Sequence, residues 1–544
     1  MKLTQQELLN QKVWEEAGIK LPSYDRLALM ERTKIAPRWI HFGAGNIFRA
    51  FPAAVLQKLI EANQMDTGVI VAEGYDYEII DQLFLPHDHL SLLVTLKSDG
   101  NVEKEVIGSI TEALRVNPNE SSDYNRLKEI FQADSLQMVS FTITEKGYRL
   151  TGADGALLPE IAADYQKGPD SATSYLGKIC ALLYRRYESG KKPIAFVSMD
   201  NCSHNGDKLF AAMDAFAKAW EIAGLVQPGF AAYVEDPKKV SFPWSMIDKI
   251  TPRPDESVTK MLKDVGYEDA EATVTTKNTY IASFVNAEET QYLVIEDSFP
   301  NQRPPLEQAG ILFTDRETVD RVEKMKVCTC LNPLHTTLAI FGCLFGYTKI
   351  SEEMKDLDLV RLVEIIGYQE GLPVVVNPKI LDPKEFIDTV LNVRIPNPFM
   401  PDTPQRIASD TSQKLAIRFG ETIKEYDKAE NLNVSDLVFI PLVFAGWLRY
   451  LLGTTDEGEE FIVSPDPMYQ TLKEKLTGIK DCDETERQKI LKDILSDRDI
   501  FGVDLYMVGL AKRVEDYFSR MLAGNGAVRK TLKEVLASET GIER

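Results

Sequence analysis

The chain has 544 residues, 44% of them apolar and 27% charged, a length and composition that call for more than one hydrophobic core. Its formal net charge of -21 argues against a polyanionic partner, and the basic stripe that nucleic acid needs is missing. The opening MKLTQQELLNQKVWEEAG lacks an apolar h-region, and no stretch approaches roughly 18 uncharged apolar residues, so a cytoplasmic protein with reduced cysteines and no membrane partner is expected.

In chain order, RWIHFGAGNIFRAFPAAVLQKLI reads as strand, tight turn and helix, and TGVIVAEGYD as a second strand. Together they open a dinucleotide-binding βαβ unit. Gly43 permits the turn, and Gly45 lets backbone N–H groups approach a pyrophosphate at the helix start, with Asn46 beside them. The third glycine of the usual fingerprint is replaced by Phe48, so the motif also fits a plain strand-to-helix turn. Arg49 suits either a phosphate or a salt bridge. Glu73 ends the second strand and Asp76 follows; a carboxylate there would bind the adenosine ribose and favour NAD over NADP. The runs LSLLVTL, LQMVSFTIT and KPIAFVSMD alternate with helical stretches such as SATSYLGKICALLYRRYE, which predicts a mainly parallel sheet in residues 1–300.

The proline-rich EDSFPNQRPPLE marks a boundary near 300. Beyond it TVDRVEKMKV, TTLAIFGCLFGY, LVRLVEIIGYQ and VSDLVFIPLVFAGWLRYLL carry helical spacing. The fold class expected is therefore α/β: a Rossmann-type domain over 1–300 and a mostly α-helical substrate and catalytic domain over 301–544. Within the second, KVCTCLNPLH places Lys326, Asn332 and His335 in ten residues. An amine, an amide and an imidazole are groups that move a proton on and off a sugar oxygen. A lysine working near neutrality needs its pKa lowered by about three units, which burial or a neighbouring cation supplies. Read singly, Lys326 is also a solvated helix lysine, His335 a core histidine and Asp248 a helix cap.

Several blocks resemble one family, the polyol-specific long-chain dehydrogenases or mannitol dehydrogenase family. HFGAGNIFRAF is similar to its N-terminal fingerprint, TITEKGY to its mid-domain motif, SMDNCSHNG to its DNxxxNG motif, FPWSMIDKITP and QYLVIEDSFPNQRP to two further blocks, and KVCTCLNPLH to its lysine, asparagine and histidine signature. The resemblance implies an NAD-dependent, zinc-free enzyme that interconverts a ketone and a secondary alcohol on a linear sugar derivative. It implies Lys326 as general acid and base, Asn201 and Asn332 as holders of the developing oxyanion, His335 as orienting group and Asp248 as the active-site aspartate.

This chain departs from the family in one place: five residues, not four, separate Lys326 from Asn332. Pro333 disfavours helical geometry at the residue before it and suits the first turn of a new helix, so a break at 331–333 is expected to absorb the extra residue. Asn332 would then also fit a bare N-cap, and Lys324 is the reserve base. Cys328, Cys330 and His335 match no common zinc spacing, and no metal is expected.

NVRIPNPFMPDTPQRIASDTSQKLAIR resembles the family's RFxNP and DxSxK blocks and supplies Arg394, Asn397, Arg406 and Lys414, which suit a substrate carboxylate or phosphate, or plain salt bridges. A sugar acid or polyol is the expected small-molecule partner. Fructuronate reduction to mannonate comes first, with tagaturonate reductase, mannitol 2-dehydrogenase and a non-catalytic sugar- or nucleotide-binding protein as alternatives. The sequence carries no signal of oligomeric state.

Overall fold

The computed structural model describes residues 1–254 and 256–539, and it divides into two compact units, one reaching Asp320 and the other starting at Arg321. The first is built on six strands: β1 (Trp39–Phe42), β2 (Val69–Glu73), β3 (Ile110–Arg115), β4 (Met138–Phe141), β5 (Ile194–Ser198) and β6 (Val240–Ser241). All neighbours are parallel, in the order β3-β2-β1-β4-β5-β6. That is the doubly wound dinucleotide-binding order, which reverses between β1 and β4 and opens a crevice at their carboxyl ends.

The period of two along each strand divides the apolar side chains between two cores. Ile40, Phe42, Val139, Phe141 and Phe196 pack on one face, and Trp39, Val71, Met138, Ala195 and Val197 on the other. Burying each of the larger ones contributes about 1.5–3 kcal/mol. His41 lies between Ser140 Oγ (2.6 Å) and Thr142 Oγ1 (2.8 Å), stacked on Phe48. Burial pulls its pKa down to about 3, so it is a neutral core histidine.

Two expectations change. LSLLVTL does not join the parallel sheet. It forms Ser91–Leu96, antiparallel to Val102–Ile107 and parallel to Phe284–Glu288 in a separate four-stranded sheet. Its link to the next strand, closed by Lys97 N–H donating to Asn101 O at 3.0 Å, is a hairpin, too short for a parallel crossover. The proline-rich segment near 300 also lies inside the first unit. Leu312–Thr314, which follows it, pairs with Tyr292–Glu296, which in turn pairs with Ser245–Asp248.

The second unit is helical. Its first elements are α1 (Arg316–Met325), in which the unit boundary falls, and α2 (Asn332–Leu344). The span 316–344 contains a window long and apolar enough to cross a membrane, but 78% of that window is buried in the protein, as in a core helix. A third helix, α3 (Phe439–Tyr450), is buried along its whole length. The Glu370 carboxylate closes its N-terminus by accepting from Val438, Phe439 and Ile440 N–H at 2.6–2.8 Å.

Glu353 is a different kind of buried acid. It is 0% exposed, and neither carboxyl oxygen has a hydrogen-bond partner among the described residues. It lies against Gly342 of α2, where any Cβ would run into its carboxyl. Burial, with Asp356 adding to it, pushes the acid up to about 10. The unfolded chain loses the same proton near about 4.3, so between those values the folded state binds one proton more and stability falls as pH rises. The denaturant midpoint should therefore decline from about pH 6 to about pH 9, and Glu353→Gln should remove up to about 1.4 kcal/mol per pH unit of that decline. Equal slopes in the two proteins would refute the buried neutral acid.

Candidate active site

The glycine turn after β1 lies at the crevice. Gly43 has φ +109°, and a Cβ there would strike the Thr142 carbonyl at the end of β4, so only glycine fits. Gly45 has open space where its Cβ would be. A cleft of about 440 Å³ adjoins it, lined by Gly45, Asn46, Arg49, Thr251, Arg253 and Tyr280 among others. Arg49 is 1% exposed and donates to Ser91 Oγ, Ala282 O and Asn46 Oδ1. Among the described residues it has no carboxylate partner, and burial pulls its pKa down to about 10. A buried guanidinium without a counter-charge beside an open glycine turn fits the pyrophosphate of a dinucleotide.

Glu73 remains at the end of β2, but its oxygens already accept from Ala44, Tyr75 and Asp76 N–H at 2.7–3.1 Å, which locks the glycine loop to the strand. Asp76 is 2% exposed and accepts from Thr275 Oγ1 at 2.6 Å.

SMDNCSHNG and TITEKGY are joined by Asp200, which accepts from Ile143 and Thr144 N–H and from Tyr148 Oη at 2.5–3.0 Å. Burial pushes its carboxyl up, against those three bonds. Asn205, which sequence reasoning passed over, is 0% exposed. It donates to Ser198 O, Asp200 O and Ser245 O and accepts from Ser245 N–H. It therefore holds the start of the strand Ser245–Asp248 against the loop after β5. Asn201 is exposed on that loop, and Asp248 is 5% exposed at the end of the strand. The DNxxxNG spacing was the available signal for Asn205, because its second asparagine falls at a helix start.

In the second unit the expected break is present. Between α1 and α2, residues Lys326–Cys330 form a π-helical turn, closed by Leu331 N–H donating to Lys326 O at 3.1 Å. Leu331 leaves helical geometry (φ -130°, ψ -62°), and Pro333 lies in the first turn of α2. A π turn accommodates one residue more than an α turn, which accounts for the longer lysine-to-asparagine spacing. Lys326 is 3% exposed. Asn332 is the first helical residue, the cap position being Leu331, so it is not an N-cap. His335, three residues on, shares its face. Cys330 turns its thiol to Pro383 O in the core.

His335 Nε2 lies 3.6 Å from the Asp402 carboxylate. Burial, then Arg394, Arg418 and Arg406, push its pKa down against the opposing pull of Asp402, and the imidazole is neutral near pH 7. Arg406 is paired with Asp402. Lys414 donates to Ser409 O, and burial lowers its pKa. Arg394 and Asn397 are 6% and 1% exposed, in and just after a π-helical turn, Val390–Arg394. Arg418, absent from the expected set, is the third guanidinium of the group.

Sheet order, glycine turn, anion-fitting cleft and helical second unit define a Rossmann-type dehydrogenase with a helical C-terminal domain. Family models agree: the mannitol dehydrogenase Rossmann domain matches residues 37–308 and the mannitol dehydrogenase C-terminal domain residues 318–522. The chain belongs to the mannitol dehydrogenase family. It is 51% identical to a D-mannonate oxidoreductase of Thermotoga maritima over 99% of this chain and 100% of that one. A D-mannonate oxidoreductase of Escherichia coli is 28% identical over 82% and 85% of the two chains. A mannitol 2-dehydrogenase of Pseudomonas fluorescens, solved as a ternary complex with NAD and D-mannitol, superposes with TM-score 0.66 at 25% identity, covering 100% of both chains.

Gly43→Ala should abolish NADH binding in a fluorescence titration, since the clash falls on the turn itself; unchanged affinity would show that the turn does not hold cofactor. Asn205→Ala should lower stability by about 2–3 kcal/mol in a denaturant titration, and a loss under about 0.5 kcal/mol would show that the loop is anchored elsewhere.

Proposed function

We propose that this NAD-dependent dehydrogenase of the mannitol dehydrogenase family reduces a linear keto sugar acid to its secondary alcohol, in the direction fructuronate to D-mannonate, by a zinc-independent mechanism with Lys326 as general acid. The observation that carries this reading is the helix break at Leu331. It places a buried lysine, an asparagine left out of the cap and a neutral histidine within ten residues of one irregular turn, in a unit where three guanidiniums lower the pKa of that histidine. The names of the two mannonate oxidoreductase relatives support the choice of a sugar acid.

In this reading Gly43, Gly45, Asn46 and Arg49 hold the dinucleotide, with Glu73 fixing their loop. When bound, the reduced nicotinamide supplies the hydride. Lys326 gives its proton to the carbonyl oxygen and takes it back in the oxidation direction. Asn332 donates an N–H bond to that oxygen as negative charge develops on it, a role the family motif also gives to Asn201. His335, neutral and steadied by Asp402, orients the substrate, and Asp248 occupies the family's aspartate position. Arg394, Asn397, Arg406 and Lys414 bind the far end of the sugar acid.

An NADH oxidation screen against fructuronate, tagaturonate, fructose and fructose 6-phosphate tests the substrate, with the highest kcat/KM expected for fructuronate. A preference for fructose or its phosphate would overturn the sugar-acid reading. Lys326→Ala should lower turnover by at least about 1000-fold with NADH binding retained. Substantial residual activity would move the role to Lys324.

A further inference from the structure

Several arginines elsewhere in the second unit pair with carboxylates or donate to backbone carbonyls, although Arg449 Nε and Arg487 Nε are buried without a hydrogen-bond partner among the described residues. Arg406 meets Asp402, Arg529 meets Asp356 and Asp358, and Arg449 donates to Thr454 O and Thr455 O. Arg513 donates to Ser435 O and Leu437 O. Arg418 differs. Its side chain donates one hydrogen bond, to Thr336 Oγ1, and among the described residues no carboxylate pairs with it. Burial pulls its pKa down to about 10 with no counter-charge to oppose the shift. A guanidinium has five N–H donors, and in this half-buried residue those not bonded to Thr336 are open to solvent.

Its placement gives those donors a direction. Arg418 lies in the π-helical turn Ala416–Gly420, which packs on the turn carrying Lys326 and on α2. Thr336, its one partner, is the neighbour of His335 and donates to Asn332 O at 2.8 Å, which fixes one edge of the guanidinium to the first turn of α2. Arg394, Arg418 and Arg406 lower the His335 pKa and Asp402 raises it. Asp402 is already shared between His335 and Arg406.

We propose that Arg418 is a specificity-determining residue that receives the substrate's carboxylate, pairing with it through the guanidinium edge that Thr336 leaves open, so that a sugar acid is preferred to a neutral ketose. The proposal rests on the sugar-acid reading above. A planar fork matched to two carboxylate oxygens gives geometric selection that a lysine ammonium does not reproduce. The carboxylate would bring the counter-charge that the protein itself withholds from this site.

The test is steady-state kinetics of the full-length enzyme and of Arg418→Met and Arg418→Lys, each with fructuronate and with fructose. In Arg418→Met the ratio of kcat/KM for fructuronate to that for fructose should fall by about 100-fold, mainly through KM for fructuronate, and Arg418→Lys should recover about 10-fold of it. Loss of both activities in proportion, or a preserved ratio, overturns the assignment of Arg418 while leaving the sugar-acid reading intact. Failure of the unmodified enzyme to accept any hexuronate overturns that reading, and the proposal with it. If Arg418→Met does not fold, judged by its melting transition, the same ratio read on Arg418→Gln decides in the same way.

Discussion

Lys326 is buried at the one place where the 316–344 segment departs from α-helical spacing, and much of the second unit is arranged around that departure. An α turn closes through i to i+4 bonds; here Leu331 reaches back five residues to Lys326 O. A wider turn in a close-packed interior needs neighbours shaped to receive it. The turn Ile365–Gly371 provides one, because Gly371 meets Thr329 so closely that a Cβ there would come within 2.8 Å of its Cγ2. Glu370, next in line, then ties that turn to the N-terminus of α3 through three backbone bonds. The irregularity is thus braced by a carboxylate that belongs to no catalytic group.

Irregular turns recur where charge is placed. Among the described residues of the second unit, π-helical turns lie at Lys326–Cys330, Ile365–Gly371, Val390–Arg394 and Ala416–Gly420. Lys326, Glu370, Arg394 and Arg418 each sit in one of them. A π turn re-aims a side chain by shifting the phase of the helix, and it leaves local hydrogen bonding less regular. In the first unit the same task falls to side chains that bond backbone: Glu73 on the glycine loop, Asp200 on the TITEKGY segment and Asn205 on the strand that ends at Asp248.

The mainly parallel sheet was legible from runs such as RWIHF and KPIAFVSMD because strands buried on both faces are continuously apolar. The helix break was legible because Pro333 and the extra residue both bear on the same few positions. Less legible were features that depend on partners distant in sequence. Asp76 follows β2 in sequence, and its bond from Thr275, some two hundred residues on, could not be read from that position. Arg418 ends a block whose other basic residues drew the attention, and its lack of a counter-charge is a property of the fold alone. LSLLVTL has the same apolar pattern as the sheet strands, and only the short link after it sends it elsewhere.

Gly342 and Glu353 illustrate how such a dependence constrains the protein over time. The carboxyl occupies the space that a side chain at 342 would need, and the absence of that side chain is what lets the acid be fully enclosed. Position 342 cannot take a side chain while the long acid stays. In descendants of this chain the two sites should therefore be inherited as a pair, a glycine wherever the long acid persists and a larger residue on α2 only where position 353 has first been shortened.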